Sequence, residues 1–280
     1  MITQSAPLFF LVGCSRSGTT LLQSLLATHP QIASFPETKF FHVLLPSPYE
    51  RRRYAFNLAS RQLNSRLAVF FGDELGRPDL IRRIPKVPLM SHCTHQFIKI
   101  LRELAAEQNK SIILEKTPDH IYRIESIEKF LPSASFIHLI RNGTDVVASL
   151  YEVTHQYPKP WGGVRDIDTC IDNWLSAIRA TQKYQNQPNH LIVRYENLVS
   201  QAETVLRKIC NFLNVEFDVN MIENYAEMAH YVSLDREGRS VNCDGINYRP
   251  SNKFFKIFNE EQQAYIMDKL SVVNLEELNW

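Results

Sequence analysis

Residues 8–26, LFFLVGCSRSGTTLLQSLL, constrain this chain more than any other stretch. The apolar run Leu8 to Val12 reads as a buried strand, a turn rich in Gly, Ser and Thr follows, and Leu21, Leu22, Leu25 and Leu26 recur at helical spacing. A strand that feeds a helix through a glycine-bearing turn aims several backbone N–H groups at one point, and the helix dipole favours an anion there. Ser15, Ser17, Thr19 and Thr20 add hydroxyls, and Arg16 adds a permanently charged planar fork of donors. The natural guest is a phosphate or a related tetrahedral oxyanion. Gly13 and Gly18 hold the two glycine positions of a P-loop, but Thr19 stands where the lysine belongs, and the positive charge has moved into the turn. A nucleoside triphosphatase or kinase wants that lysine and a metal-binding Asp closing a later strand, and neither is evident. The competing reading is a βα turn with incidental Gly and Ser.

The order of elements predicts an α/β fold, a three-layer sandwich of the P-loop NTPase kind with a central parallel sheet flanked by helices. Strands are expected at 8–12, 111–114, 135–140 and 190–194. Helices are expected to follow Gly18 and to cover 119–130, 143–152, 167–184 and 202–213. Ser91 reads as the cap of a helix whose apolar face is Phe97, Ile98, Leu101 and Leu104. Tyr49 to Phe71 has helical composition, and 72–88 is broken by Gly and Pro into a surface loop. All 280 residues are expected to form one domain, with a loose end at 1–7. A net charge of +1 supplies no global field for nucleic acid or membrane, and no run approaches a membrane span. The five scattered cysteines suggest reduced thiols in a cytoplasmic protein. His92, Cys93 and His95 have no second pair at zinc spacing and are taken as ordinary helix residues.

Ligands of open parallel sheets lie beyond the carboxyl ends of the strands. Arg16 follows the first strand, Lys116 the second, Arg141 the third, and Arg194 with Tyr195 the fourth. Cations gathered on one edge of a nearly neutral protein indicate a multiply charged anionic ligand. Solvated loop charges are the bland alternative. Ser149 lies two helical turns beyond Arg141, where spacing alone leaves it a ligand or a helix hydroxyl in equal measure.

The segments VGCSRSGTTLLQSLLATHPQIASFPET and FIHLIRNGTDVVASLYE resemble the 5′-phosphosulfate loop and the 3′-phosphate motif of sulfotransferases that use 3′-phosphoadenosine 5′-phosphosulfate (PAPS). LEKTPDH and VRYENLVSQAETVLRKICNFLNV are similar to the same family, above all to its tyrosylprotein and bacterial branch. The resemblance implies PAPS as co-substrate, 3′,5′-adenosine bisphosphate (PAP) as product, and no required metal. It assigns Arg16, Ser17, Gly18, Thr19 and Thr20 to the phosphosulfate, Arg141 and Ser149 to the 3′-phosphate, and Tyr195 to the nucleotide. It also places Arg239 and Ser240 at the family's Arg-Ser pair, Ser240 in a catalytic role, with Arg249 answering a later lysine in a nucleotide-covering loop at 231–256. A Gly- and Asn-rich surface loop is the equal alternative for that segment.

Sulfuryl transfer parallels phosphoryl transfer, in which positioning and charge stabilisation dominate. Arg16 and Lys116 are expected to stabilise charge on the oxygen between phosphorus and sulfur. Glu37, in FPET, is the expected base: residues 29–37 can span up to about 30 Å when extended, enough to return it to the loop mouth. In the tyrosylprotein branch the matching glutamate is the base. A helix cap or a solvent position at Glu37 is the alternative, and His29 and His120 are its rivals. The acceptor is expected to be a small hydroxyl or amine compound held by 38–90 and 153–166. Phe35, Phe40, Phe41, Phe70, Phe71 and Trp161 are expected mainly in the core, with some lining that acceptor pocket. Arg51 to Arg53 reads as a solvated face or a lure for an anionic acceptor. A P-loop kinase or a catalytically silent nucleotide binder are the other functional readings.

Overall fold

The computed structural model describes residues 6–234, 246 and 252–278. Five parallel strands, β1 (Leu8–Gly13), β2 (Ile32–Ser34), β3 (Ile112–Lys116), β4 (Ser135–Ile140) and β5 (His190–Arg194), form one sheet in the order β2-β3-β1-β4-β5. The longer helices are α1 (Thr19–Thr28), α2 (Met90–Glu107), α3 (Gly143–Gln156), α4 (Ile167–Gln182), α5 (Ala202–Leu213), α6 (Tyr225–Ser233) and α7 (Glu260–Leu270). Alternation along β1 sends Phe9 and Leu11 to one face, where Leu22, Leu25 and Leu26 of α1 and Leu206 and Ile209 of α5 cover them. Phe10 and Val12 go to the other face, against Phe97 and Leu101 of α2, Val146 and Leu150 of α3 and Trp174 of α4. Both faces are therefore covered, which is why the strands read as unbroken apolar runs. The fold is the three-layer P-loop-like arrangement expected from the sequence.

The strand order fixes where a ligand can sit. From β1 the chain leaves across β3 toward β2, whereas from β4 it leaves the opposite way toward β5, yet β1 and β4 are neighbours. The crevice between two such diverging connections lies beyond the carboxyl ends of the strands. Arg16 follows β1 and Arg141 follows β4, so both flank that crevice. The short strand β2, absent from the sequence reading, matters equally. It runs parallel to β3, so Phe35, Pro36 and Glu37 emerge at the same carboxyl edge.

Several expected elements are corrected. Residues 49–71 do not form one helix: Arg51–Ala55 and Leu63–Ala68 are separate helices, and Val69–Glu74 forms a π-helical turn. Pro78–Arg83 is a 3-10 turn inside the stretch read as loop. Ser91 does not cap α2, because the helix already begins at Met90 with Leu89 in the cap position. Phe40 and Phe97 stack at 4.1 Å, and Phe35, Phe40, Phe41, Phe70 and Phe71 are all at most 4% exposed, so they belong to the core rather than to an acceptor wall. Among the described residues no helix is long and apolar enough to cross a membrane. Cys14, Cys93, Cys170 and Cys210 are buried and free, and Cys243 lies outside the described residues.

Candidate functional site

A cleft of about 460 Å³ opens at the carboxyl edge of the sheet. Ser15, Arg16, Gly18, Thr19 and Thr20 form one wall. The chain turns here through two positive φ angles, +75° at Arg16 and +94° at Gly18. An arginine in the left-handed region costs about 1–2 kcal/mol, a cost that places its side chain across the cleft mouth. There Arg16 Nε donates to Ser149 Oγ at 3.0 Å, and its guanidinium lies 5.4 Å from the Trp161 ring centroid. No side chain caps α1, so its first N–H groups have no helical partner and face the loop. Ser17 is buried below the loop with its hydroxyl oxygen lacking a partner among the described residues. Open backbone donors, an orphaned hydroxyl and a guanidinium around one concavity suit a tetrahedral anion.

The glycines serve this geometry. A Cβ on Gly13 would stand 2.4 Å from the Leu139 carbonyl oxygen, and one on Gly18 would stand 2.4 Å from Cδ2 of Tyr195. Gly18 thus lets the Tyr195 ring rest on the loop. The same ring lies 4.3 Å from the Arg141 guanidinium carbon, so Tyr195 bridges the loop and the second arginine. Arg141 Nη2 pairs with Asp145 at 3.2 Å, while its Nε is buried without a partner among the described residues. That donor, like the Ser17 hydroxyl, fits an oxyanion absent from the protein itself. Arg141, Ser149 and Tyr195 line the same cleft as Arg16. Ser149 reaches Arg16 rather than Arg141, so α3 ties the two cationic ends of one cleft together.

Glu37 also lines the cleft, and its Oε1 accepts from Lys116 Nζ at 2.7 Å. Lys116, expected beside the transferring group, is 1% exposed and is not on the cleft wall itself; its ammonium meets Glu37, which is. A buried polar network holds this segment. Thr38 and Thr117 hydroxyls donate to Glu115 Oε1 at 2.6 and 2.7 Å, and His120 Nδ1 lies 2.9 Å from Oε2. Burial alone would raise the Glu115 carboxyl; the adjoining His120 and the hydroxyl hydrogen bonds outweigh it and hold it below the usual carboxylate range. Arg66 donates to the Glu37 carbonyl. Glu37 caps no helix, since the next one begins at Phe40 with Lys39 before it.

The rival histidines are engaged elsewhere. His120 Nε2 accepts from the Phe41 N–H at 3.2 Å, so Nδ1 carries the proton toward Glu115. His29 Nδ1 accepts from the Gln31 N–H, and Nε2 donates to the Glu216 carbonyl at 2.9 Å. Arg194 is corrected as well: its Nη1 pairs with Glu276 at 2.5 Å, away from the cleft. Arg239, Ser240 and Arg249 lie outside the described residues, as does most of the expected covering loop; Ile246, within it, lines the cleft. Asp119 and Arg165 line the cleft without having been singled out. Their only signal is position, Asp119 just after β3 and Arg165 within the expected 153–166 wall.

Residues 7–219 match the model of a family described as the sulfotransferase family. The chain is 26% identical over 239 residues to protein-tyrosine sulfotransferase 1 of Danio rerio, covering 84% of this chain but only 61% of that protein. Among solved structures it superposes on the sulfotransferase domain from the curacin biosynthetic pathway with a TM-score of 0.65 at 21% identity, covering 95% and 97% of the two chains. A mouse sulfotransferase, SULT7A1, complexed with PAP, gives a TM-score of 0.54 at 13% identity over 97% and 85%.

Proposed function

This chain belongs to the sulfotransferase family, and we propose that it moves a sulfuryl group from PAPS to a hydroxyl or amine of a small acceptor. The observation that carries this reading is the single cleft into which the 13–20 loop, Arg16 and Arg141 all open at the switch point of the sheet. A nucleotide with phosphate on both sides of its ribose needs two anion sites at one ligand's length. The loop N–H groups, Arg16, Thr19 and Thr20 would hold the phosphosulfate, and Arg141 with Tyr195 the 3′-phosphate end. Glu37 takes the acceptor proton as the acceptor oxygen or nitrogen bonds to sulfur. The electron pair of the broken S–O bond stays with the 5′-phosphate of PAP, opposite Arg16 and the loop donors. Lys116 keeps the Glu37 carboxylate oriented.

The test is a melting assay followed by turnover. PAP is expected to raise the melting temperature and ATP with magnesium to leave it unchanged. Labelled sulfuryl transfer from PAPS is expected for an acceptor panel of alcohols, phenols, amines and a tyrosine peptide. Glu37→Gln is expected to keep its response to PAP and to lose about 10²-fold or more in kcat, the usual contribution of a general base. Stabilisation by ATP instead of PAP would favour a kinase and overturn the reading.

A further inference from the structure

Beyond the donor cleft, past Asp119 and Arg165, lies a second cavity of about 220 Å³. It shares Ser15, Asp119 and Arg165 with the cleft and adds His42, Tyr122 and Arg123. His42 and Arg123 in turn border a third cavity that reaches Arg51 and Tyr54. The three are neighbours along the same side of the molecule, and Glu37 lines the first of them. Trp161 lines the first cavity, and none of Phe35, Phe40, Phe41, Phe70 and Phe71 lines any of the three, because all five are buried in the core.

The charges along these cavities are out of balance. Arg123 and Arg165 are half-buried, and neither forms an ion pair among the described residues, whereas Arg66, Arg77, Arg83, Arg194 and Arg207 all do. Among the described residues Asp119 is the sole carboxylate lining the second cavity, and it forms an ion pair with neither arginine. Burial keeps the Cys14 thiol protonated, so it adds no charge, and desolvation outweighs Asp119 at His42 and lowers its pKa. A guanidinium on a cavity wall with no carboxylate paired to it offers a planar fork that matches an oxyanion.

Resting on the sulfotransferase reading, we propose that this second cavity is the acceptor subsite, and that Arg123 and Arg165 select an acceptor bearing a carboxylate or phosphate remote from the hydroxyl that is sulfated. Glu37 marks the reacting end and the arginine pair the anchoring end. Ser15 and Asp119, between them, orient the acceptor's polar middle.

The experiment compares 3-(4-hydroxyphenyl)propionate, its methyl ester and 2-(4-hydroxyphenyl)ethyl phosphate. Binding in the presence of PAP is measured by calorimetry, and turnover is measured with PAPS. The two anionic phenols are expected to bind about 10-fold or more tightly than the ester, as a charge-assisted bond implies. Arg123→Gln is expected to collapse that ratio toward one and Arg123→Lys to restore part of it. Arg165→Gln serves as the second variant, and stabilisation by PAP reports that each variant is folded. A preference for the carboxylate alone or the phosphate alone identifies the oxyanion and supports the subsite. An ester that binds as well as the acids, or a ratio untouched by both glutamine variants, overturns the subsite while leaving sulfuryl transfer standing. Acid-selective binding without any transfer from PAPS would uphold the subsite and count against the reaction.

Discussion

Replacing Gly18 by Ala is the sharpest perturbation of the donor cleft. Two separate penalties apply. The φ of +94° puts an L-residue in the left-handed region, at about 1–2 kcal/mol. The new Cβ would lie 2.4 and 2.5 Å from Cδ2 and Cε2 of Tyr195, where carbon atoms settle at about 3.5–4.0 Å. The ring must retreat by about 1 Å or more, which disrupts its 4.3 Å contact with Arg141, a contact worth about 0.5–2 kcal/mol. The expected total is about 1.5–4 kcal/mol, or a melting loss of about 3–16 °C for a chain of this size. Gly76→Ala supplies the control, since Gly76 has a φ of +67°, nothing within 4 Å of where a Cβ would stand, and a place outside the cleft. It pays the backbone term alone. Scanning calorimetry should therefore show a larger loss for Gly18→Ala, and titration should show PAP affinity lowered about 10-fold in that variant only. Equal melting losses for the two variants, with PAP affinity unchanged at Gly18→Ala, would refute the claim that this glycine exists to seat Tyr195.

Two further outcomes follow from the buried charges. His138 is fully enclosed 2.8 Å from Nδ1 of His190, and burial together with that neighbour pushes its pKa down to about 3. The folded state thus favours the neutral ring while the unfolded chain protonates near 6.5, so stability is complete above that value and falls as the pH drops toward 3. At pH 5 the loss is about 2 kcal/mol from this group, and Glu115, also depressed, adds to it at lower pH. Urea midpoints at pH 7 and 5 check this, and a His138→Gln variant with the same pH sensitivity as the parent would count against it. Lys116→Met is expected to lower kcat through Glu37 and to reduce stability, while the Kd for PAP stays within about 3-fold because Lys116 does not line the cleft. A large loss of PAP affinity would place the ammonium on the nucleotide after all.

Local pattern was enough wherever one segment decides its own structure. The strand at His190–Arg194 and the helix at Ala202–Leu213 keep the bounds expected of them, because an apolar run and an amphipathic repeat need no partner to be recognised. The three-residue β2 escaped notice because its pairing with β3, about 80 residues away, defines it rather than its composition. The stretch 49–71 misled for a related reason: helical composition says nothing of the Arg53 bond to the Ala59 carbonyl or the Ala59 N–H bond to Pro88 that break it. The same distinction governs the cations. That Arg16, Lys116, Arg141 and Arg194 share one edge follows from strand order alone. Which of them faces the cleft depends on distant carboxylates: Glu37 takes Lys116 and Glu276 takes Arg194. Arg16 reaches Ser149 and the Trp161 ring, and Arg141 keeps a buried N–H spare beside the Tyr195 ring. Arg141, paired with Asp145 and stacked on the Tyr195 ring, still leaves one N–H for a ligand. One cavity further out Arg123 and Arg165 form no ion pair among the described residues, which is why the acceptor's charge is the next property to measure.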